Sequence, residues 1–81
     1  MMPSLGVTKE HVGQIVDTAG WVRIVWAADP SRYANTFKDD MLPPGLRFIL
    51  GGVDDRQRAF LYRDDTGVIM VPCTLVDPWS R

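Results

Sequence analysis

Several features that define common protein classes are scarce in this sequence of 81 residues. It has one cysteine and one histidine, which excludes an internal disulfide framework, a cysteine-based zinc site and a histidine-rich metal cluster. No segment approaches the roughly 20 apolar residues that a membrane-spanning helix needs, and the first residues lack the basic flank and apolar run of a signal peptide. We therefore expect a protein of a reducing compartment, cytoplasmic or inside a virion assembly, with no membrane contact and with Cys73 as a free thiol.

Neither sign of charge is in excess. Nine basic and ten acidic residues give a formal net charge of −1 at pH 7. Binding to the nucleic-acid backbone depends on uncompensated lysine and arginine residues, so this balance disfavours a nucleic-acid partner. Copies of a small protein with so little net charge repel one another weakly, which favours self-association into a homo-oligomer.

Apolar residues make up 46% of the chain, enough to build the core of one small domain over residues 1–81. Turn-forming residues recur at short intervals and separate runs rich in β-branched and aromatic residues, a pattern typical of a small all-β domain. The turn at residues 64–67 predicts a hairpin, because Gly67 supplies the positive φ that follows a type I turn. The predicted strands are residues 21–26, 46–50, 58–63 and 68–71.

Two segments are less well defined. Residues 8–19 fit a short helix capped by Thr8, and they also fit a strand at residues 14–16 that pairs with residues 21–26. We favour the strand, and we treat residues 1–11 as an N-terminal arm. Residues 29–41 have no periodicity and predict a long loop, which in so small a domain is a candidate for function.

The order of these features over residues 21–77 resembles the Src homology 3 (SH3) barrel. Residues 22–28 stand where that family has its first core strand, residues 35–42 stand at its long acidic loop, and Gly67 with Pro72 stands in its closing segment. The resemblance implies an SH3-like barrel of five strands with a binding face, in which Pro72 and Trp26 match groove positions. Because Ala59 and Phe60 stand where the family has its paired tryptophans, the resemblance does not extend to a proline-rich ligand.

The sequence offers no convincing set of catalytic residues. Residues 17–20 copy a motif of small GTPases without the phosphate-binding loop that this motif accompanies. Residues 65–67 copy the aspartic-protease tripeptide, but they stand in a polar hairpin turn. His11 and Cys73 are too far apart in sequence to predict a catalytic pair. We therefore expect no enzyme, no cofactor and no metal site, with an active site shared between two copies as the one enzymatic alternative left open.

The aromatic content is high for the size of the chain. Strand alternation places Trp21 and Trp26 on opposite faces, so at least one of them is expected outside the core, where tryptophan often marks an interface. We predict a non-enzymatic protein–protein interaction module that binds another protein or further copies of itself. Two alternatives remain: a structural subunit of a larger assembly, such as a phage connector or decoration protein, and a barrel that binds single-stranded nucleic acid through Arg58, Phe60 and Tyr62. The predicted contact residues are Trp26, Tyr33, Tyr62, Pro72 and Trp79.

Overall fold

The computed structural model describes residues 6–37 and 39–79, and over these residues the chain is built mainly from short β-strands. It also contains one short α-helix, α1 (Pro30–Ala34), and two 3₁₀ turns, Lys9–His11 and Cys73–Leu75. The strands are β1 (Ile15–Thr18), β2 (Val22–Arg23), β3 (Trp26–Ala27), β4 (Met41–Leu42), β5 (Arg47–Val53), β6 (Arg58–Arg63), β7 (Gly67–Pro72) and β8 (Val76–Pro78).

Six of these strands form one antiparallel sheet in the order β3-β7-β6-β5-β1-β8, and β2 pairs with β4 in a separate ribbon. Strands β5, β6 and β7 follow one another through consecutive hairpins, whereas β1 lies between β5 and β8. Within the described residues no pairing joins the two edge strands, β3 and β8. The predicted all-β class is therefore confirmed, while the predicted closure into a five-stranded barrel is not.

The predicted hairpin between β6 and β7 is confirmed. Arg63 lies opposite Gly67 at the end of the ladder, and Gly67 has the expected positive φ of 69°. The buried Thr66 hydroxyl donates to the carbonyl oxygen of Gly67 at 2.9 Å within this turn.

The core lies on the inner face of the large sheet and follows the alternation of each strand. Because successive side chains of a strand point to opposite faces, every second residue enters the core and the residues between them face outward. The inward residues of the sheet, each less than 4% exposed, are Val16, Phe48, Leu50, Ala59, Leu61, Ile69, Val71 and Val76.

The predicted strand at residues 21–26 is divided into β2 and β3, which belong to different pairings. The Ile24 N–H donates to the Asp40 carbonyl oxygen at 2.9 Å, and the Val25 N–H donates to the Met70 carbonyl oxygen at 2.7 Å. Since the backbone changes partner between these two residues, a single regular strand cannot pass through them. The local pattern of β-branched residues predicted the extended conformation but not this change of partner.

Residues 8–19 contain a 3₁₀ turn near the start of the alternative helix and a strand, β1, near the favoured strand. Thr8 caps the 3₁₀ turn, its N–H donates to His11 Nδ1 at 3.0 Å, and the predicted strand follows as β1. The prediction that this strand pairs with residues 21–26 is wrong, because β1 pairs with β5 and β8. Of the predicted arm, residues 1–5 lie outside the described residues, and Val7 is buried with its N–H donating to the Cys73 carbonyl oxygen at 3.2 Å.

The predicted loop at residues 29–41 contains helix α1. Asp29 caps the helix by accepting a hydrogen bond from the Arg32 N–H at 3.1 Å, and Pro30 occupies the first helical position. The helix buries Tyr33, whose ring lies 5.6 Å from that of Phe37. An acidic cap followed by proline is a sequence signal for a helix start, and it was available in this segment.

Candidate functional site

The outer side of the large sheet carries a row of exposed apolar side chains that crosses four strands. Each member lies directly opposite the next one, and each is between 36 and 48% exposed. From β1 to β7 the row consists of Ile15, Ile49, Tyr62 and Val68.

A second row runs beside the first, two residues away on β6 and β7 and, because of a register shift after Leu50, three residues away on β5. Trp26 on β3 lies opposite Met70, and Met70 lies opposite Phe60, whose ring packs over Gly52. Trp26 is 48% exposed, while Phe60 and Met70 are half-buried. We call the two rows together the outer apolar face; its members are Ile15, Ile49, Tyr62, Val68, Trp26, Met70 and Phe60.

Four of the five predicted contact residues lie on or beside this face. Trp26 and Tyr62 belong to it, and Pro72 lies opposite Arg58 on the same side of the sheet. Trp79 lies at its edge, where its N–H donates to the Ile15 carbonyl oxygen at 3.0 Å. Tyr33 is buried, with 2% of its surface exposed, so it cannot contact a partner across this face.

The members of the face that were not predicted as protein contacts are Phe60 and the non-aromatic residues. Ile15, Ile49 and Met70 belong to three different strands, and only the register between those strands makes them neighbours. Alternation within one strand indicates two faces but does not say which face meets the core. Trp21 is 67% exposed and lies outside both rows, so both tryptophans of the predicted first strand are at the surface.

The arginines around the face are largely compensated by carboxylates. Arg58 Nε lies 2.8 Å from Asp54 Oδ2, and Arg63 Nε lies 3.0 Å from Asp65 Oδ1. The guanidinium carbon of Arg47 lies 4.3 Å from the centroid of the Trp79 ring, a cation–π contact. The two ion pairs offset part of the positive charge with which the face could attract phosphate groups.

A groove of about 730 Å³ lies between β3 and α1, with Trp26 at its border with the outer apolar face. Tyr33 and Phe37 supply further aromatic lining, and Asp39 and Asp40 supply two carboxylates. The Tyr33 hydroxyl oxygen is buried, and among the described residues it has no hydrogen-bond partner. Burial and the charge of Asp40 raise the pKa of Tyr33 to about 12, which keeps the phenol neutral.

Cys73, His11 and Asp17 lie outside this groove. Burial raises the pKa of the Cys73 thiol, which keeps it protonated and weakly nucleophilic, and His11 is occupied by its hydrogen bond from Thr8. Burial and the neighbouring charge of Asp77 also raise the pKa of Asp17, on the strand pair β1–β8. Over residues 6–37 and 39–79, histidine, cysteine and carboxylate side chains do not gather in a group of three that could hold a metal ion.

Comparison with known proteins adds no relative. No protein-family model matches the chain, and neither a curated protein nor a solved structure is significantly similar to it. The resemblance to the SH3 barrel therefore stays a prediction. In the described part of the chain no helix is long and apolar enough to cross a membrane.

Proposed function

We propose that this chain is a non-enzymatic protein–protein interaction module and that the outer apolar face is its contact surface. The observation that carries this proposal is the pair of contiguous apolar rows on the side of the sheet that faces away from the core. The solvent side of an antiparallel sheet ordinarily carries polar residues. Contiguous exposed apolar patches mark protein–protein contact sites.

The composition of the face supports the same proposal. Trp26 and Tyr62 are of the residue types that most often dominate binding energy when a partner covers them. Charged and polar groups surround them, including Arg47, Arg58 and Asp64, which matches the apolar centre and polar rim of known interfaces. The strands hold these side chains in a fixed register, so a partner would meet a preformed surface.

We further propose that the sheet belongs to an SH3-like barrel. Three features support this architecture: the consecutive hairpins of β5, β6 and β7, the 3₁₀ turn between β7 and β8, and the position of β1 between β5 and β8. This proposal concerns the fold alone. The chemistry of the ligand follows from the residues on the surface.

Self-association is the second candidate function, in which the chain is a subunit of a homo-oligomeric assembly. The net charge of −1 favours it, because two copies can bring their outer apolar faces together with little repulsion. A nucleic-acid partner is less well supported, since Arg58 and Arg63 already pair with Asp54 and Asp65.

One pair of variants tests the face and separates the two candidates. Ile49→Lys places a charge at the centre of the first row, and Trp21→Lys is the matched control at an exposed apolar residue outside both rows. The absolute mass of each protein is measured by light scattering over a hundredfold concentration range. Self-association predicts a wild-type mass that rises above 9.1 kDa, and Ile49→Lys but not Trp21→Lys returns it to the monomer value.

A wild type that stays monomeric favours a different protein as the partner. That partner is identified by cross-linking to the wild type, purified, and titrated against all three proteins. We expect Ile49→Lys to weaken binding at least about tenfold and Trp21→Lys to leave it nearly unchanged. Equal affinity of the wild type and Ile49→Lys would show that the contact surface lies elsewhere.

A further inference from the structure

We propose that the groove between β3 and α1 binds an organic cation, the ammonium or guanidinium group of a lysine or arginine side chain on another polypeptide. The groove is a different surface from the outer apolar face, and the two meet only at Trp26. The assignment of the cation to a polypeptide rests on the proposed function. The assignment of a cation site rests on the groove alone.

The groove carries negative charge that no ion pair among the described residues compensates. Asp39 and Asp40 are adjacent, both are exposed, and both line the groove. Over the described residues, three carboxylates, those of Asp29, Asp54 and Asp65, form ion pairs, whereas the two groove carboxylates form none. A cation that enters the groove therefore meets two carboxylates without having to displace an arginine.

Aromatic side chains line the groove together with these carboxylates. Trp26 presents a half-exposed indole ring, and the half-buried Phe37 adds a second aromatic side chain to the lining. Aromatic faces attract ammonium and guanidinium groups through the negative potential of the ring, and tryptophan does so most strongly. The apolar remainder of the lining suits the methylene chain that carries such a group in lysine or arginine.

A third feature of the groove is the Tyr33 hydroxyl group, which lies on a different residue from the two carboxylates. Tyr33 is 2% exposed, lines the groove, and carries a buried oxygen with no partner in residues 6–37 and 39–79. Buried polar atoms almost always have a hydrogen-bond partner, so an orphaned one calls for an explanation. Because this oxygen is covered in the unbound protein, the groove lining must open slightly before an N–H group of a bound cation can donate to it and satisfy it. The nearby charge of Asp40 favours a cation at that position.

The same residues argue against other ligands. A divalent metal ion needs several oxygen ligands in a compact shell, and the described residues hold no such cluster. An anion would be repelled by Asp39 and Asp40. A neutral apolar ligand would leave the carboxylates and the Tyr33 hydroxyl without partners, so a cation with an apolar stem fits best.

The test is a titration followed by two-dimensional NMR of the backbone amides. The probes are three N-acetylated tripeptide amides, alanine-X-alanine with X as lysine, arginine or norleucine, together with butylammonium as a free amine. We expect the lysine or arginine peptide to shift the amide resonances of Ala27, Ala34 and Asp40, which belong to the groove. We expect the norleucine peptide, which has the apolar stem without the charge, to bind at least about fivefold more weakly.

Single substitutions measure how much the carboxylates and the Tyr33 hydroxyl each contribute to binding. Asp39→Asn and Asp40→Asn each remove one charge and keep a residue type that tolerates the positive φ of these positions, 60° and 55°. We expect each to weaken the binding of the lysine peptide about fivefold and Tyr33→Phe to weaken it about threefold. Asp55→Asn, at an exposed carboxylate outside the groove, is the matched control and should leave the affinity unchanged.

Three results would overturn the proposal. Equal binding of the norleucine peptide would make the groove a purely apolar site, and equal weakening by Asp55→Asn would reduce the effect to net charge. If butylammonium binds as tightly as the lysine peptide, the ligand is a free amine and the polypeptide source is wrong. None of these experiments changes Ile49. The proposed function of the outer apolar face is therefore tested separately, by the Ile49→Lys variant.

Discussion

Replacing Tyr33 by phenylalanine should make this protein more stable. The substitution keeps the ring and its contact with Phe37, at 5.6 Å between centroids, and removes only the hydroxyl group. That hydroxyl oxygen is buried and has no hydrogen-bond partner among the described residues. In the unfolded chain it is hydrated, so folding removes a hydrogen bond to water without replacing it.

The size of the gain follows from two opposing contributions. Leaving a buried polar group unsatisfied costs about 1–3 kcal/mol. Removing an oxygen atom leaves a small void that costs a few tenths of a kcal/mol, at about 24 cal/mol per Å³ of cavity. We therefore expect the free energy of unfolding to rise by about 1–2 kcal/mol. For a domain of 60–100 residues this corresponds to an increase in Tm of roughly 4–16 °C.

The assay is urea unfolding followed by tryptophan fluorescence, with thermal unfolding by circular dichroism as a second measurement. The slope with denaturant should stay unchanged, because the substitution alters little of the surface that unfolding exposes. Tyr62→Phe is the control, since its exposed hydroxyl donates to Asp64 Oδ1 at 2.7 Å and its removal should lower stability slightly. A Tyr33→Phe protein that is no more stable than the wild type would show that the hydroxyl has a partner in solution, and the orphaned-oxygen argument for the groove would fail with it.

Three further perturbations have defined outcomes. The pKa of Tyr33 is raised to about 12 from an ordinary 10.0, so the unfolded chain ionises first and the wild type should lose stability between about pH 10 and pH 12; urea midpoints should show that Tyr33→Phe loses less over this range. Gly67→Ala places a side chain at a φ of 69° and should cost about 1–2 kcal/mol by urea unfolding, whereas Gly20→Ala, at a position with open space, should cost much less. Asp17→Asn removes one of two carboxylates that face each other across β1 and β8, and it should add about 0.2–1 kcal/mol at pH 7. Because burial and Asp77 raise the pKa of Asp17, the wild type becomes more stable relative to Asp17→Asn as the pH falls through that pKa toward 3.8. If the two proteins still differ in free energy of unfolding at pH 3, charge repulsion at Asp17 is not the cause.

The structural elements that the sequence predicted correctly are formed by residues that lie close together in the chain. The hairpin of β6 and β7 was predictable because a polar turn with Gly67 joins two runs of alternating residues. The cap at Thr8 and the strand that follows it were predictable for the same reason. Helix α1 carried an equally local signal at Asp29 and Pro30, but its five residues are too few to show helical periodicity.

The candidate site was predictable only in its aromatic members. Trp26 and Tyr62 could be proposed as contact residues from their type alone. Tyr33 was proposed on the same ground, yet the structure buries it, because the short helix turns its ring toward the core. Residue type therefore indicated which side chains can anchor a partner, but not which of them are exposed.

Local sequence chemistry was thus sufficient to predict the all-β class of this protein, the hairpin of β6 and β7, and the approximate positions of β1 and β5. The outer apolar face and the groove depended on tertiary structure, because both bring together residues that are distant in the chain. Ile15 meets Ile49 only through the pairing of β1 with β5, and Trp26 and Asp40, which are 14 residues apart in the chain, line one groove only in the folded protein. Strand register and long-range packing arise from the burial of the whole core at once, and no local pattern encodes that choice.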